Sequence, residues 1–418
     1  MLDDENGHVS SAAGTPDGAF TLPALLAGFR VLDFTRVLSG PFATAMLADV
    51  GADVIKIEPP HGDDYRAVGP MLNGESALFT VMNRNKKSLV LDLKCPAAIA
   101  LVYELAASCD VVVENFRPGV AERLGIGYAA LTAANPRLVY VSISGFGQNG
   151  PYAHRPAYDI ILQAMSGLME ATGSPDGPPT VVGESVSDIV TGMFASWAVL
   201  AALLQRERTG RGQYVDVAMF DSTLSFVTTS VARLLFTGKP PRRVGNRHPL
   251  SAPFGIYRAS DGHFALAVLN SRLFQQLAIV MERQELGDDP RNASDESRSL
   301  NEAELRCEIE AWAAGKPVAA VVAALEAAGI PAAPIWNVEQ ALASPQAVSR
   351  EILRAFDDPR LPGLRLPTQP VRFGGAADNQ TQRAPRLGEH TEELLAGLLG
   401  FAKARIDELR AAGAFGEV

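Results

Sequence analysis

The sequence predicts an α/β fold centred on a mostly parallel, Rossmann-like sheet. Three observations carry that reading. Short apolar runs suited to buried strands alternate with helix-period segments over about 120 residues, the pattern that parallel strands joined by crossover helices require. The chain has 418 residues, long for one core, so a second domain or a large insertion is expected. Beyond residue 225 the texture changes to a stretch rich in Pro, Gly and Arg, which marks the start of a smaller inserted domain.

The elements follow in order. "RVLDFT" (30–35) reads as a buried strand, "GPFATAMLADVG" (40–51) as a helix opened near Gly40-Pro41 and closed by Gly51, and "ADVIKIE" (52–58) as the next strand. The alternation continues with "KSLVLDL" (strand), "CPAAIALVYELAASC" (helix), "DVVVEN" (strand), "GVAERLG" (helical turn) and "RLVYVSISGFG" (strand). A long apolar helix runs from Asp188 to about Arg208, "TGRGQ" turns the chain, and "YVDVAMFDS" (214–222) alternates like a strand. Within the insert, 225–330, "GIYRASDGHFALAVL" predicts a hairpin with Asp261-Gly262 at its turn, and "RQELGDDPRNASDESRSLNEAE" reads as a charged loop. The insert is thus α+β in character, and residues 331–418 form a return segment whose "PRLGEHTEELLAGLLG" opens a helix at Gly388 or Glu389. The first part of the large domain is 28–224, and residues 1–27 are expected to be a flexible tail.

Composition narrows the function classes. With 47% hydrophobic and 20% charged residues the chain reads as an ordinary globular protein, and its net charge of −10 argues against nucleic acid or an anionic membrane as the main partner. Cys95, Cys109 and Cys307 form no C-x-x-C pair, so neither a disulfide framework nor a zinc site is indicated. The N-terminal residues carry no basic n-region or apolar h-region, and a cytoplasmic location is expected. No G-x-G-x-x-G follows the first strand, where the loop is "RVLSGP", so NAD is not expected; Walker A, H-E-x-x-H and G-x-S-x-G sequences are absent too, and six scattered histidines offer no metal-ligand spacing.

"SVSDIVTGMFAS" (185–196) sets one carboxylate, Asp188, in a run of small and apolar residues. On local pattern it reads as a helix N-cap, accepting from the N–H groups of the first turn. Nothing local requires more of it.

Seven segments in order give the sharper reading. "GFRVLDFTRVLSGPFATAMLADVGADVIKIEPP", "NRNKKSLVLDLK", "VVVENFRPGVAERLG", "SISGFGQNGPYAHRPAYDIILQAMSGLMEATG", "SDIVTGM", "RERTGRGQYVDVAMFDS" and "PRLGEHTEELL" together resemble the class III coenzyme A transferase family, which includes formyl-CoA and carnitine CoA-transferases and the α-methylacyl-CoA racemases. The likeness covers nearly everything from Gly28 onward, strongest over 28–225 and weakest over 270–330. The resemblance implies that Asp188 is a nucleophile, attacking an acyl-CoA thioester to give an aspartyl anhydride and then an aspartyl-CoA thioester. Covalent relay splits one difficult exchange into easier steps, and water must be excluded from the anhydride. Capping and catalysis can coexist at this residue.

The same resemblance implies a CoA site along "LDLK" and "ENFRPG": Leu91 and Leu93 for apolar contact, Lys94 near phosphate, Asn115 and Phe116 flanking the ligand, and Arg117 and Arg123 on phosphate oxygens. Arg123 sits in a helix-like run and reads equally as a solvated cation. Where many relatives carry an arginine after the second strand this chain has Pro59; either a nearby cation such as Arg66 compensates, or affinity for the nucleotide end of CoA differs. In the racemases a histidine occupies the position of Tyr158, next to Asp159; tyrosine, with a pKa near 10, is a poor base at neutral pH, so transfer is favoured over racemisation. Asp159 itself reads as a cap or a sheet-edge contact. Leu38 stands where formyl-CoA transferase has a glutamine on its oxalate, which disfavours oxalate here. "RRVGNRHP" (242–249) offers Arg242, Arg243, Arg247 and His248 to the distal carboxylate of an acid, Arg247 before the others. The expected partners are therefore an acyl-CoA, succinyl-CoA or a similar dicarboxylyl-CoA, and a carboxylic acid, with no metal. An interlocked, ring-like homodimer is implied, with Arg247 acting in cis or in trans. A 2-methylacyl-CoA racemase and a catalytically silent acyl-CoA-binding homologue are the alternatives.

Overall fold

A computed structural model describes residues 24–374 and 381–416. Residues 1–23 of the expected tail lie outside the described residues. By packing the chain divides into two compact units: the residues up to Ser142 with Ala195–Val215 and those from Arg354 onward, and Ile143–Phe194 with Asp216–Leu353. The second unit takes in all of 225–330 and adds 143–194, 216–224 and 331–353 to it.

A six-stranded sheet organises the first half of the chain. Its strands are β1 (Arg30–Asp33), β2 (Asp53–Glu58), β5 (Lys86–Val90), β6 (Val111–Glu114), β7 (Val139–Ser144) and β8 (Tyr214–Ala218), ordered β5-β2-β1-β6-β7-β8; β3 (Met71–Leu72) and β4 (Glu75–Ser76) make a separate small hairpin. The pairings from β5 through β7 are parallel, with Arg30 opposite Asp53 and Val31 opposite Val111. This is the Rossmann-like pattern that the alternation predicts. Helices α1 (Ser39–Asp49), α2 (Ala77–Met82), α3 (Pro96–Ala107), α4 (Val120–Arg123) and α5 (Tyr128–Ala134) fill the connections. Pro96 sits at the first position of α3, where its missing N–H costs nothing, and Leu101, Val102 and Leu105 then fall on one buried face. Gly40 in α1 is required by space: a Cβ there would lie 2.4 Å from Thr35 Cβ.

Strand residues Leu32, Ile55, Leu89 and Val112 pack with Leu101 and Leu105 into one core, closed by Leu394, Leu395, Ile406 and Leu409 from two C-terminal helices, Thr391–Leu399 and Lys403–Ala411. The "RLGEHT" stretch is the clip. His390 donates its N–H to Ser88 O (3.0 Å), Gly388 donates to Ser88 Oγ (2.9 Å), and Ser88 N–H donates to His390 Nδ1 (3.2 Å). The helix begins at Thr391 rather than at 388 or 389, because Gly388 is left-handed (φ 66) and His390 is spent on β5.

The strand pattern hides a lane of buried charge. Lys86 Nζ lies 3.0 Å from Asp33 Oδ2 and Lys56 Nζ 2.8 Å from Asp63 Oδ2, all four side chains inaccessible to solvent. Burial is tolerated because each charge is paired and further bonded, Lys86 also to Pro41 O and Asn83 Oδ1.

The second unit carries α6 (Asp159–Met165), α7 (Leu168–Ala171) and the first turns of α8 (Val186–Thr209). The predicted hairpin is present as β9 (Phe254–Arg258) and β10 (His263–Ala267), with His263 opposite Arg258, and β11 (Ala332–Pro334) adds to β10 antiparallel. Two expectations fail. Residues Met219–Phe226 are helical, because the strand alternation ends where Ala218, Met219 and Phe220 run together and Ser222 and Thr223 bond back to the turn before them. The "charged loop" at 283–304 is a series of short helices; Ser294 caps Asp295–Leu300 in a capping box with Ser297, and Arg298 is fully buried, donating to Ala252 O and Asn292 O. Local capping, invisible to hydrophobic periodicity, organises that segment.

Candidate active site

Asp188 is the third residue of α8, not its cap. The helix starts two residues earlier, and Ser185 supplies the first carbonyl, accepting from Ile189 N–H at 3.0 Å. The cap comes from another helix. Asp159 Oδ1 accepts from Ser187 N–H at 2.7 Å, and Asp159 Oδ2 accepts from Gln163 Nε2 at 2.7 Å. The N-cap duty read for Asp188 is therefore performed by Asp159; of the two readings of Asp159, a cap or a sheet-edge contact, the structure shows a cap, given to α8.

Gln163 fixes the approach to the helix. It is fully buried, accepts from Val182 N–H (3.0 Å) and donates to Glu184 O (3.1 Å), so one carboxamide holds both the capping carboxylate and the loop that enters α8. Thr191 Oγ1 donates to Ser187 O at 2.6 Å inside the first turn. The outcome is a half-buried Asp188 carboxylate that no described residue hydrogen-bonds. Burial pushes its pKa up to about 7, and the nearby Asp159 charge adds to the rise. A carboxylate stripped of donors and desolvated is more basic, and more nucleophilic, than one in water. Tyr158 precedes Asp159 and is 70% exposed.

Further along this unit, Arg243 is engaged with Glu170 at 2.8 Å and with its carbonyl. His248 stacks on Phe254 (4.7 Å between ring centres) and its Nδ1 accepts from Leu250 N–H, so the imidazole is held by its own loop. Arg247 bridges backbone-to-backbone with Gly255 and lies 3.8 Å from Glu302, beyond hydrogen-bonding reach.

The remaining sequence-predicted residues lie in the first unit. Leu38 is buried at the start of α1. Leu91 is fully inside the core, so a ligand could meet it only through its backbone; Leu93 and Phe116 pack against that core half-buried. Asn115 exchanges two hydrogen bonds with the Arg36 backbone (3.0 and 2.8 Å), tying the loop after β1 to the end of β6. Lys94, Arg117 and Arg123 are exposed and pair with no described residue, which makes them available cations. Arg66 is not available. It grips Glu58 with two bonds of 2.7 Å and stacks on Phe79, so it does not replace the cation expected at Pro59.

The CoA-transferase family III model matches residues 26–391. This chain belongs to CoA-transferase family III. Relatives in the family include an acetyl-CoA:oxalate CoA-transferase from Acetobacter aceti, 45% identical over 87% of this chain and 92% of its own length. Another is a succinate–glutarate CoA-transferase from Agrobacterium fabrum, 39% identical over 89% of this chain and 95% of its own. Among solved structures, a CAIB/BAIF family protein from Brucella suis superposes with a TM-score of 0.80 at 38% identity, covering 90% of this chain and all of that one. Gln163 escaped the sequence reading. Its signal was its place four residues after Asp159, which puts both side chains on one face of a helix.

Proposed function

We propose that this family III protein moves coenzyme A from a dicarboxylyl-CoA, succinyl-CoA or a close analogue, to a free carboxylic acid, with Asp188 as the covalent relay. One observation carries the reading: no described residue hydrogen-bonds the Asp188 carboxylate, while Asp159 performs the cap. A carboxylate oxygen of Asp188 attacks the thioester carbon, the C–S bond breaks, and the thiolate of CoA leaves behind a mixed anhydride. The thiolate then attacks the aspartyl carbon and expels the first acid as a carboxylate. The acceptor carboxylate enters the aspartyl-CoA thioester in the same way, and return of the thiolate to the acceptor's acyl carbon regenerates Asp188.

Lys94, Arg117 and Arg123 are the cations we assign to the phosphates of CoA, with Leu93 and Phe116 giving apolar contact and Asn115 and the Leu91 backbone lining the approach. Leu38, Tyr158, Arg247 and His248 are the residues we assign to the acyl and acceptor groups. The names of the relatives support an acceptor among small dicarboxylates. A homodimer is part of the proposal; the exposed side chains of Trp197, Leu200 and Leu204, spaced along one face of α8, are the kind of apolar stripe a second copy covers, and sedimentation will report the mass. The raised Asp188 pKa would also suit the proton transfers of a racemase, but Tyr158 then leaves the opposite face without a base at neutral pH.

The test is to incubate the protein with succinyl-CoA and oxalate, glutarate or mesaconate and follow the CoA esters by mass spectrometry. New esters should form, Asp188→Ala should abolish them, and hydroxylamine should leave a hydroxamate on Asp188. Exchange that survives Asp188→Ala overturns the mechanism; CoA affinity without exchange marks a silent homologue; solvent deuterium entering a 2-methylacyl-CoA marks a racemase.

A further inference from the structure

A cavity of 660 Å³ opens within the second unit. Arg233, Arg242 and Arg247 line it with the hydroxyl-bearing Ser174, Thr180 and Ser230, and its lining contains no carboxylate. Arg233 and Arg242 pair with no described residue. Arg247 is little better compensated: Glu302 stands 3.8 Å away and gives its other oxygen to Arg306 at 2.7 Å. Three guanidinium groups around one opening repel one another, and each keeps its planar fork of donors free. An anion between the arginines would relieve that repulsion, and the small hydroxyls supply further donors to carboxylate oxygens.

The walls are built rather than incidental. Gly245 N–H donates to Gly173 O at 3.0 Å, joining the loop after α7 to the loop that carries Arg242 and Arg247. Ile256 N–H donates to Asn246 O at 2.8 Å, and Gly255 admits that approach, since a Cβ on it would stand 2.4 Å from Asn246 O. Arg243, between the lining residues, turns away to Glu170 and anchors the loop from behind.

We propose that this cavity binds a free dicarboxylate dianion, one carboxylate between Arg233 and Arg242 and the other at Arg247. A dianion matches three cations better than a monocarboxylate, and a guanidinium binds a carboxylate through two parallel bonds. The inference rests on the transferase reading only for its choice of ligand; the site itself is argued from the cavity.

The test is binding without turnover. Succinate and glutarate are titrated calorimetrically into the full-length protein without CoA, with butyrate and inorganic phosphate in parallel. The dicarboxylates should saturate one site per chain, weaken with added salt, and bind at least about tenfold more tightly than butyrate. Arg233→Gln and Arg242→Gln should each weaken binding by about tenfold or more, while Arg233→Lys and Arg242→Lys, which keep the charge, should lose less. Equal binding of butyrate, preference for phosphate, or dicarboxylate binding untouched by Arg233→Gln and Arg242→Gln in proteins with native circular dichroism would each overturn the inference. CoA exchange alongside such a failure would sink this site and leave the transferase reading standing; dicarboxylate binding without exchange would do the reverse.

Discussion

Replacing Asp188 by Asn should make the folded protein more stable at neutral pH, a result peculiar to a residue kept for chemistry. The carboxyl titrates near 3.8 when unfolded and is pushed up to about 7 in the fold, first by burial and then by Asp159. A group whose folded pKa is raised stabilises the fold relatively below the unfolded value, and that advantage is lost as pH rises through the folded value. Between pH 4 and 7 the unfolded chain ionises while the folded one resists. Three pKa units correspond to about 4 kcal/mol at most, and partial solvent access reduces the expected penalty to roughly 1–2 kcal/mol. Asparagine has no such penalty, and its amide can donate toward Asp159. Thermal and urea unfolding of both proteins should therefore coincide near pH 4 and diverge upward, with Asp188→Asn the more stable by about 1–2 kcal/mol at pH 8. An Asn variant that is less stable than the parent at pH 8, or a difference that ignores pH, would show that the carboxylate is a structural member of the helix start and refute the reasoning.

Other perturbations separate the remaining roles. Asp159→Asn keeps an acceptor for Ser187 N–H but removes the neighbouring charge and an acceptor of Gln163, so, on the proposed mechanism, the acidic limb of the pH–kcat profile should move to lower pH at a stability cost of roughly 1 kcal/mol; an unmoved limb would mean that Asp159 does not influence the Asp188 carboxyl. Arg117→Gln and Arg123→Gln should raise KM for the acyl-CoA and flatten its salt dependence with kcat nearly constant, and an unchanged KM in both would remove them from the phosphate site. Lys86→Met strands the buried Asp33 and should cost about 3–5 kcal/mol in urea unfolding, with Asp33→Asn/Lys86→Met less damaging than the sum of the single changes; a loss below 1 kcal/mol would contradict the account of the buried pair.

Sequence alone determined the parts set by local pattern. Strand and helix periods fixed the parallel core from Arg30 to Ser144, the Asp261-Gly262 turn announced the β9–β10 hairpin, and seven ordered segments identified the family and pointed to Asp188. Residue pattern also misled where it was the only guide, as at 283–304, because capping hydrogen bonds rather than apolar spacing hold those helices. What only tertiary structure decided is the assignment of duties among like side chains. Two aspartates, 159 and 188, are equally fit to cap a helix in sequence, and Asp159 does so because the fold sets it 2.7 Å from Ser187 N–H. Arg66 is as cationic as Arg117 on paper, yet one is locked to Glu58 and the other is free. A side chain's chemistry is written in its identity, whereas its availability depends on which partners, distant along the chain, folding brings within about 3 Å.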